Sequence, residues 1–381
     1  MTPSSSNPAR SPETVNLEFV NEHLRERWLD FSHGGEPQPH TEAILKAVAE
    51  KGLRIQRVGK NVLIFDEQHC VGGVMGATPS LNTSLAQFIA ASKLLTKSVL
   101  RKAGLPTPRA KQFAAEELDS ALRYLSADAG RRRVVKPVDG RQGRGITTGV
   151  TSSEELREAW DMAVAASGSG RLLVEDEVPG VDVRIMVIGG IALAAATRIP
   201  PFIVGDGRLT AGELIAQLQT ARQEHVYLKS RQLNVDHRYL ARHGTALDEV
   251  VAADRVQFLN GTANLSLGGI AVDLTDTIPR EALDLAEQVC ASIPGLGFAG
   301  VDILMPDLST LEGASIIEVN TSPNLLVHDA PAFGLPRSVA AAVADALAPP
   351  REEEPEAAVE PRVGTRSGGL LAKIRDRWRR P

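Results

Sequence analysis

The sequence predicts an α+β (α/β) protein assembled from more than one packed unit. Segments of helical period alternate with short β-branched runs over most of the 381 residues. Two apolar runs, RIMVI and IALAAATR, meet across Gly189-Gly190, the signature of a β-hairpin. The length is ample for two or three units with real cores.

Residues 1–35 begin with a Ser-, Pro- and Asn-rich stretch and are expected to be poorly ordered. An N-terminal subdomain with a connecting helix follows over 36–107. Within it TEAILKAVAEKG reads as a helix stopped by Gly52, and RIQRVG and NVLIF as short strands. Ser84 to Gly104 reads as one continuous helix ending before Pro106 and Pro108, with Lys93 and Lys97 four apart on one face. Before context, a solvated lysine stripe is the readier reading of such a pair. Residues 108–170 form a small α+β unit holding a helix around EELDSALRYLSA, the strand RRVVKP, a glycine loop and the helix SSEELREAWDMAVAA. Residues 171–349 form a larger, strand-rich unit: RLLVEDEV, the Gly-Gly hairpin, GFAGVDILM and ASIIEVN as strands, and a closing helix SVAAAVADAL. Residues 350–381 read as a charged linker and a basic tail, either a solvated end or a dock for an acidic partner or membrane surface.

A hydrophobic fraction of 43% with 23% charged residues is ordinary for a soluble chain. The net charge of -5 argues against nucleic acid as a partner. Cys70 and Cys290 make no disulfide framework or zinc cluster, which fits a reducing cytoplasm. No apolar signal core opens the chain, and the longest apolar run, Ile185 to Ile199, is too short for a bilayer. A cytoplasmic protein without stable membrane insertion is expected.

The chemistry concentrates in three places. In VVKPVDGRQGRGITTGV, a strand delivers Lys136 rigidly, and glycines 140, 143 and 145 let backbone amides approach an anion beside Arg141 and Arg144. The pattern is neither a P-loop nor a dinucleotide fingerprint, and a plain surface hairpin fits it equally. In GVDILM and IIEVN, Glu318 and Asn320 project from one face of a strand, and Asp302 joins them if the two strands pair. Two carboxylates and an amide oxygen suit Mg²⁺ shared with phosphate. In VEDEVPGVDVR, a strand end and Pro-Gly turn offer backbone groups to an adenine edge, with Asp182 and Arg184 sharing a face. His225, His237 and His243 read as surface residues. His328 reads as a structural or substrate-facing histidine.

In that order, these segments resemble an ATP-grasp enzyme, and most specifically the ATP-grasp portion of cyanophycin synthetase. The segments that carry the likeness run from about Thr78 to Pro349. They are TSLAQFIAASKLLTKSVLRKAGLPTPR, VVKPVDGRQGRGITTGV, VEDEVPGVDVRIMVIGG, TRIPPFIVGDGRLTAGELI, ANLSLGGIAVDLTDTIP and IIEVNTSPNLLVH. Glutathione synthetase-type ligases are more distant relatives. The resemblance implies ATP held between two α+β subdomains, with Lys93 and Lys136 on its phosphates. Asp139 to Ile146, with Gly140, Gly143, Arg144 and Gly145, would close over the γ-phosphate. Glu175 and Val178 would flank the adenine and Asp182 would hold the ribose. Asp302, Glu318 and Asn320 would hold Mg²⁺, as two ions and with Mn²⁺ as a substitute. Arg198 and Lys136 would act on the acyl-phosphate.

The implied activity is an ATP-dependent ligase joining an amino-acid or peptide carboxylate to an amine, with ADP and phosphate released. A kinase, or a degenerate nucleotide-binding module, are the alternatives. A homodimer is an expectation by analogy with related ligases. The sequence departs from the family's pattern at Ser92, where aspartate is usual, and at Asn324, where glycine follows the proline. The downstream ligase domain of cyanophycin synthetase is not seen, so its arginine-adding activity is not expected.

Overall fold

In the computed structural model, residues 11–32, 39–128, 130–140 and 144–348 are described. The expectation of poor order fails for residues 11–32. Helix α1 (Pro12–His23) starts at Ser11, whose hydroxyl accepts the Thr14 N–H, and it has proline in its first turn. Phe19, Val20, Leu24 and Phe31 then bury themselves in the main core. The polar residues at the start of the chain mask this apolar stripe in the sequence. Residues 1–10 and 33–35 of that segment lie outside the described residues.

The N-terminal subdomain comprises α2 (His40–Glu50) and four antiparallel strands: β1 (Arg54–Val58), β2 (Asn61–Asp66), β3 (His69–Met75) and β4 (Thr78–Pro79). Its core is shared. Ile44, Val48, Val62 and Ile64 cluster with Met186, Phe298, Val343 and Leu347, so this sheet is closed only by later parts of the chain.

The helix expected over 84–104 is two helices, α3 (Ser84–Ala91) and α4 (Lys93–Lys102). Ser92 adopts extended angles (φ -105°, ψ 105°) and its hydroxyl accepts the Leu95 N–H, capping α4. Thr96 Oγ1 donates to the Ile89 carbonyl at 2.8 Å across the break. The apolar period runs through this junction unbroken, which is why it does not show in the sequence.

The smaller subdomain, the lid of the expected arrangement, contains β5 (Ala110–Ala114), α5 (Leu118–Ser126), β6 (Arg133–Pro137), β7 (Thr147–Val150), α6 (Ser153–Ala166) and β8 (Arg171–Asp176). The sequence assigns β8 to the larger unit, but it pairs with β5 and β6, so the boundary at 170 moves beyond Asp176. Its sheet has the order β5-β8-β6-β7. Phe113, Val135, Leu156, Trp160, Leu172 and Val174 fill a core of its own. A capping box between Ser152 and Glu155 starts α6.

The larger subdomain holds β9 (Val181–Ile188), β10 (Ile191–Ile199), β11 (Phe202–Val204), α7 (Ala211–Glu224), α8 (His237–Arg242), β12 (Val256–Phe258), β13 (Ile270–Asp273), α9 (Arg280–Ser292), β14 (Phe298–Met305), β15 (Ser315–Asn320), α10 (Leu326–Asp329) and α11 (Val339–Leu347). Its central sheet runs β13-β10-β9-β14-β15. β9 and β10 form the expected hairpin, with Gly189 (φ 60°) and Gly190 (φ 85°) in the left-handed turn. The connection from β8 to β9 passes Gly180 (φ 143°), where a Cβ would lie 2.5 Å from the Met305 backbone, so glycine is required there. No helix among the described residues is long and apolar enough to cross a membrane.

Candidate active site

The central sheet lines up the charged residues by register. Asp302 on β14 faces Arg184 on β9 on one side and Glu318 on β15 on the other, while Asn320 faces Gly300. The strand pairing and the shared face expected of Asp302, Glu318 and Asn320 are both present. Arg184 closes a bidentate pair on Asp302, Nε to Oδ1 at 2.7 Å and Nη2 to Oδ2 at 2.6 Å. Arg198 Nη2 donates to Asp182 Oδ2 and stands 3.4 Å from Asp302 Oδ2. Asn320 Nδ2 donates to Glu318 at 3.2 Å and to Asp302 at 3.4 Å. Lys93 Nζ lies 3.3 Å from Glu318 Oε1 and 3.5 Å from the Val138 carbonyl of the lid.

Burial sets the protonation of the two sheet acids differently. It would push the Asp302 carboxyl up, but the guanidinium charges of Arg184 and Arg198 outweigh it, and the net shift is down. Asp182 is pushed up by burial and by the charge of Asp302, with Arg198 only partly opposing. The same surroundings hold Arg184 firmly protonated.

A second cluster joins the lid to α4. Glu175, 3% exposed, accepts from Lys136 on one oxygen and lies 3.1 Å from Lys97 Nζ on the other. Lys97 also donates to Thr107 Oγ1 at 3.2 Å. Burial would raise the Glu175 pKa, and the two lysine charges reverse that to a net lowering. Burial lowers the Lys97 pKa, with the Glu175 charge opposing. Lys97 is thus no solvated stripe residue: at 2% exposed it is as buried as the core. Its spacing from Lys93 is visible in the sequence, but its burial against Glu175 is not.

The glycine loop is described in part. At Gly140 a Cβ would lie 2.4 Å from Pro137 Cγ, and at Gly145 (φ 70°) it would lie 2.5 Å from Ala166 Cβ. Both glycines therefore have a packing reason beside any ligand role. Arg144 is exposed. Gly143 and Arg141 lie outside the described residues. Asp139 accepts from Ser167 Oγ at 3.2 Å, tying the loop base to the end of α6. Glu175 lies on the lid strand between Ala110 and Val134, with its side chain committed to lysines. Val178 lies beyond the strand pairing, in the connection to β9. The carboxylate of Asp182, expected to hold a ribose, is turned to Arg198.

One histidine reading changes. His225 is a buried residue, not a surface one: Nε2 donates to the Pro331 carbonyl at 3.1 Å, and Nδ1 accepts the Tyr227 and Leu228 N–H groups. His328 is 1% exposed. Burial, then the Arg184 charge, pushes its pKa down to about 3, so it is a neutral imidazole at ordinary pH.

No protein-family profile matches the chain. The chain is similar to cyanophycin synthetase of Trichormus variabilis, 36% identical over 346 residues, which is 88% of this chain and 37% of that protein. It is 27% identical over 347 residues to the glutathione biosynthesis bifunctional protein of Pasteurella multocida, covering 86% of this chain and 45% of the other. The crystal structure of a bifunctional glutathione synthetase from Pasteurella multocida matches with a TM-score of 0.62 and 27% identity, over 81% of this chain and 43% of that one. This is an ATP-grasp protein. It is a homologue of the cyanophycin synthetases, as its motifs imply, and spans less than half the length of the relatives named here. Within the ATP-grasp fold, Glu175 and Lys136 belong to the lid, Lys97 reaches them from α4, and the carboxylate–arginine row belongs to the larger subdomain, with Lys93 touching both.

Proposed function

We propose that the protein is an ATP- and Mg²⁺-dependent carboxylate–amine ligase that forms an amide through an acyl-phosphate. One observation carries this reading most: a continuous charged network spans both subdomains, from Arg198 and Asp182 through Arg184, Asp302, Asn320 and Glu318 to Lys93 and the lid. Three carboxylates and three cations balance there. Such a site accepts a polyanion together with divalent cations without a net change in buried charge. Two carboxylates and an amide oxygen are the donor types a hard cation takes; here Asn320 turns its Nδ2 to both acids, and its Oδ1 would turn towards a bound cation. Asp302, Glu318 and Asn320 would hold Mg²⁺, which supplies positive charge to the phosphate oxygens.

The rest falls to the chain's own groups. A substrate carboxylate attacks the γ-phosphorus of ATP, the bond to the β-phosphate oxygen breaks, and ADP leaves. Lys136 and Lys93 take up charge on the phosphates, and Arg198 and Arg184 face the transferred group. The amine then adds to the acyl carbon, loses a proton, and expels phosphate that carries one oxygen of the original carboxylate. The tetrahedral intermediate carries negative charge that Arg198 stabilises; losing one such preorganised group costs ~3–4 kcal/mol of barrier. Asp139 to Ile146 would shield the intermediate from water.

The reading is tested by measuring ADP release against amino acids and dipeptides, with products weighed by mass spectrometry. ADP with a conjugate lighter than the summed substrates by one water is expected. A phosphorylated acid without amide would instead identify a kinase, and ATP binding with no turnover a nucleotide-binding module.

A further inference from the structure

An amine must lose a proton as it joins an acyl carbon, and the charged row offers no group to take it. Asp302 is held by Arg184, Asp182 by Arg198, and Glu318 faces Lys93. His328 is 1% exposed, and a pKa of about 3 makes it too weak a base. A different histidine, the half-buried His40, enters from the N-terminal subdomain at the start of α2.

His40 is tied to the turn that follows Asn320. Its Nε2 lies 2.9 Å from Asn324 Oδ1, and that oxygen also accepts the Leu326 N–H at 3.1 Å. A backbone N–H only donates, so the amide turns its oxygen towards His40, and Nε2 must carry the ring hydrogen. Asn324 Nδ2 donates to the Tyr227 hydroxyl at 3.4 Å, which holds the amide in that sense. The lone pair of the neutral ring is therefore on Nδ1. That atom has no hydrogen-bond partner among the described residues and is open to solvent. The turn adjoins the charged row: a Cβ on Gly300 would lie 2.8 Å from Pro323 Cβ and 3.4 Å from Arg184 Cδ.

Burial pulls the His40 pKa below the ordinary histidine value; the Asn324 bond opposes this, and the Arg231 charge adds to it. The positive end of α2 acts in the same direction. The acids nearby on α2 and on α11, which packs against it, are matched by cations: Glu42 by Arg57, Glu50 by Lys46 and Asp345 by Lys51. The ring is neutral at ordinary pH and able to accept a proton.

We propose that His40 is the general base of amide formation and that Asn324 positions it. The assignment rests on the ligase reading. As the amine nitrogen bonds to the acyl carbon, His40 Nδ1 takes its proton. The C–O bond to phosphate breaks, and phosphate leaves with the electron pair. The resulting imidazolium still donates its Nε2–H to Asn324. Holding one ring nitrogen so that the other works as the base is the logic of a catalytic triad, with the two nitrogens exchanged.

The test uses the acid and amine that give ADP in the screen of amino acids and dipeptides, with hydroxylamine as a second nucleophile that attacks an acyl-phosphate without a base. His40→Gln keeps a donor for Asn324. It should slow amide formation about 100-fold and leave hydroxamate formation, KM for ATP and the melting temperature near their wild-type values. The wild-type kcat/KM for the amine should fall at acid pH along a limb that His40→Gln lacks. Asn324→Asp, which sets an anion against Nε2, should move that limb to higher pH. Equal loss of amide and hydroxamate, an undiminished amide rate in His40→Gln, or a limb that persists in it overturns the assignment while leaving the ligase reading intact. A screen in which no pair gives ADP refutes the ligase reading, and this inference falls with it.

Discussion

Replacing Glu175 by glutamine tests the lid cluster most sharply. Glu175 is the shared anion for Lys136 and Lys97, and all three are buried. The substitution keeps the shape and removes the charge, leaving two lysines facing each other without a counter-ion. Breaking a buried pair in this way costs ~3–5 kcal/mol. Lys97 bears most of it, because burial already lowers its pKa and Glu175 is what opposes that. In the variant the folded-state pKa of Lys97 drops further below its unfolded value. The unfolded chain then binds more protons between those two values, so stability rises with pH across that window. Urea unfolding at pH 7 should show a midpoint lowered on the order of 1 M, and the deficit should shrink towards pH 10. Adding Lys97→Met should restore much of the loss at pH 7. A Glu175→Gln variant as stable as the wild type, or a deficit that Lys97→Met deepens, would refute this account of the cluster.

Other outcomes follow from the same structure. Asp302→Asn leaves Arg184 buried without its bidentate partner and should destabilise by ~3–5 kcal/mol in urea. Glu318→Gln, at a side chain 38% exposed, should leave the midpoint nearly unchanged while ADP release falls roughly 100- to 1,000-fold. Asp329 is pushed up to about 6 by burial, so the folded chain binds more protons than the unfolded one between pH 4 and 6, and stability falls as pH rises through that window. Asp329→Asn should match the wild type at pH 4 and exceed it by on the order of 2 kcal/mol at pH 8. NMR of the His328 imidazole should show no titration from pH 5 to 8; a midpoint near the ordinary histidine value would contradict its burial.

The strands that build the site were legible because their signals are local. The Gly-Gly hairpin and the alternation in IIEVN fix β10 against β9 and aim Glu318 and Asn320 together. What escaped the sequence depends on distant partners. Lys97 is buried against a glutamate 78 positions away, a partner that no local pattern announces. Arg184 is plain in VDVR, yet its partner is chosen by the β9–β14 register. The buried state of His225 depends on the Pro331 carbonyl, contributed by a loop far along the chain. Helix α1 was hidden by polar neighbours, although its apolar positions have helical spacing.

The central claim is that a carboxylate becomes an acyl-phosphate before the amine arrives. With a carboxylate substrate labelled with ¹⁸O on both oxygens, turnover should release phosphate carrying one ¹⁸O and an amide retaining the other. Phosphate without label, or AMP in place of ADP, would contradict it.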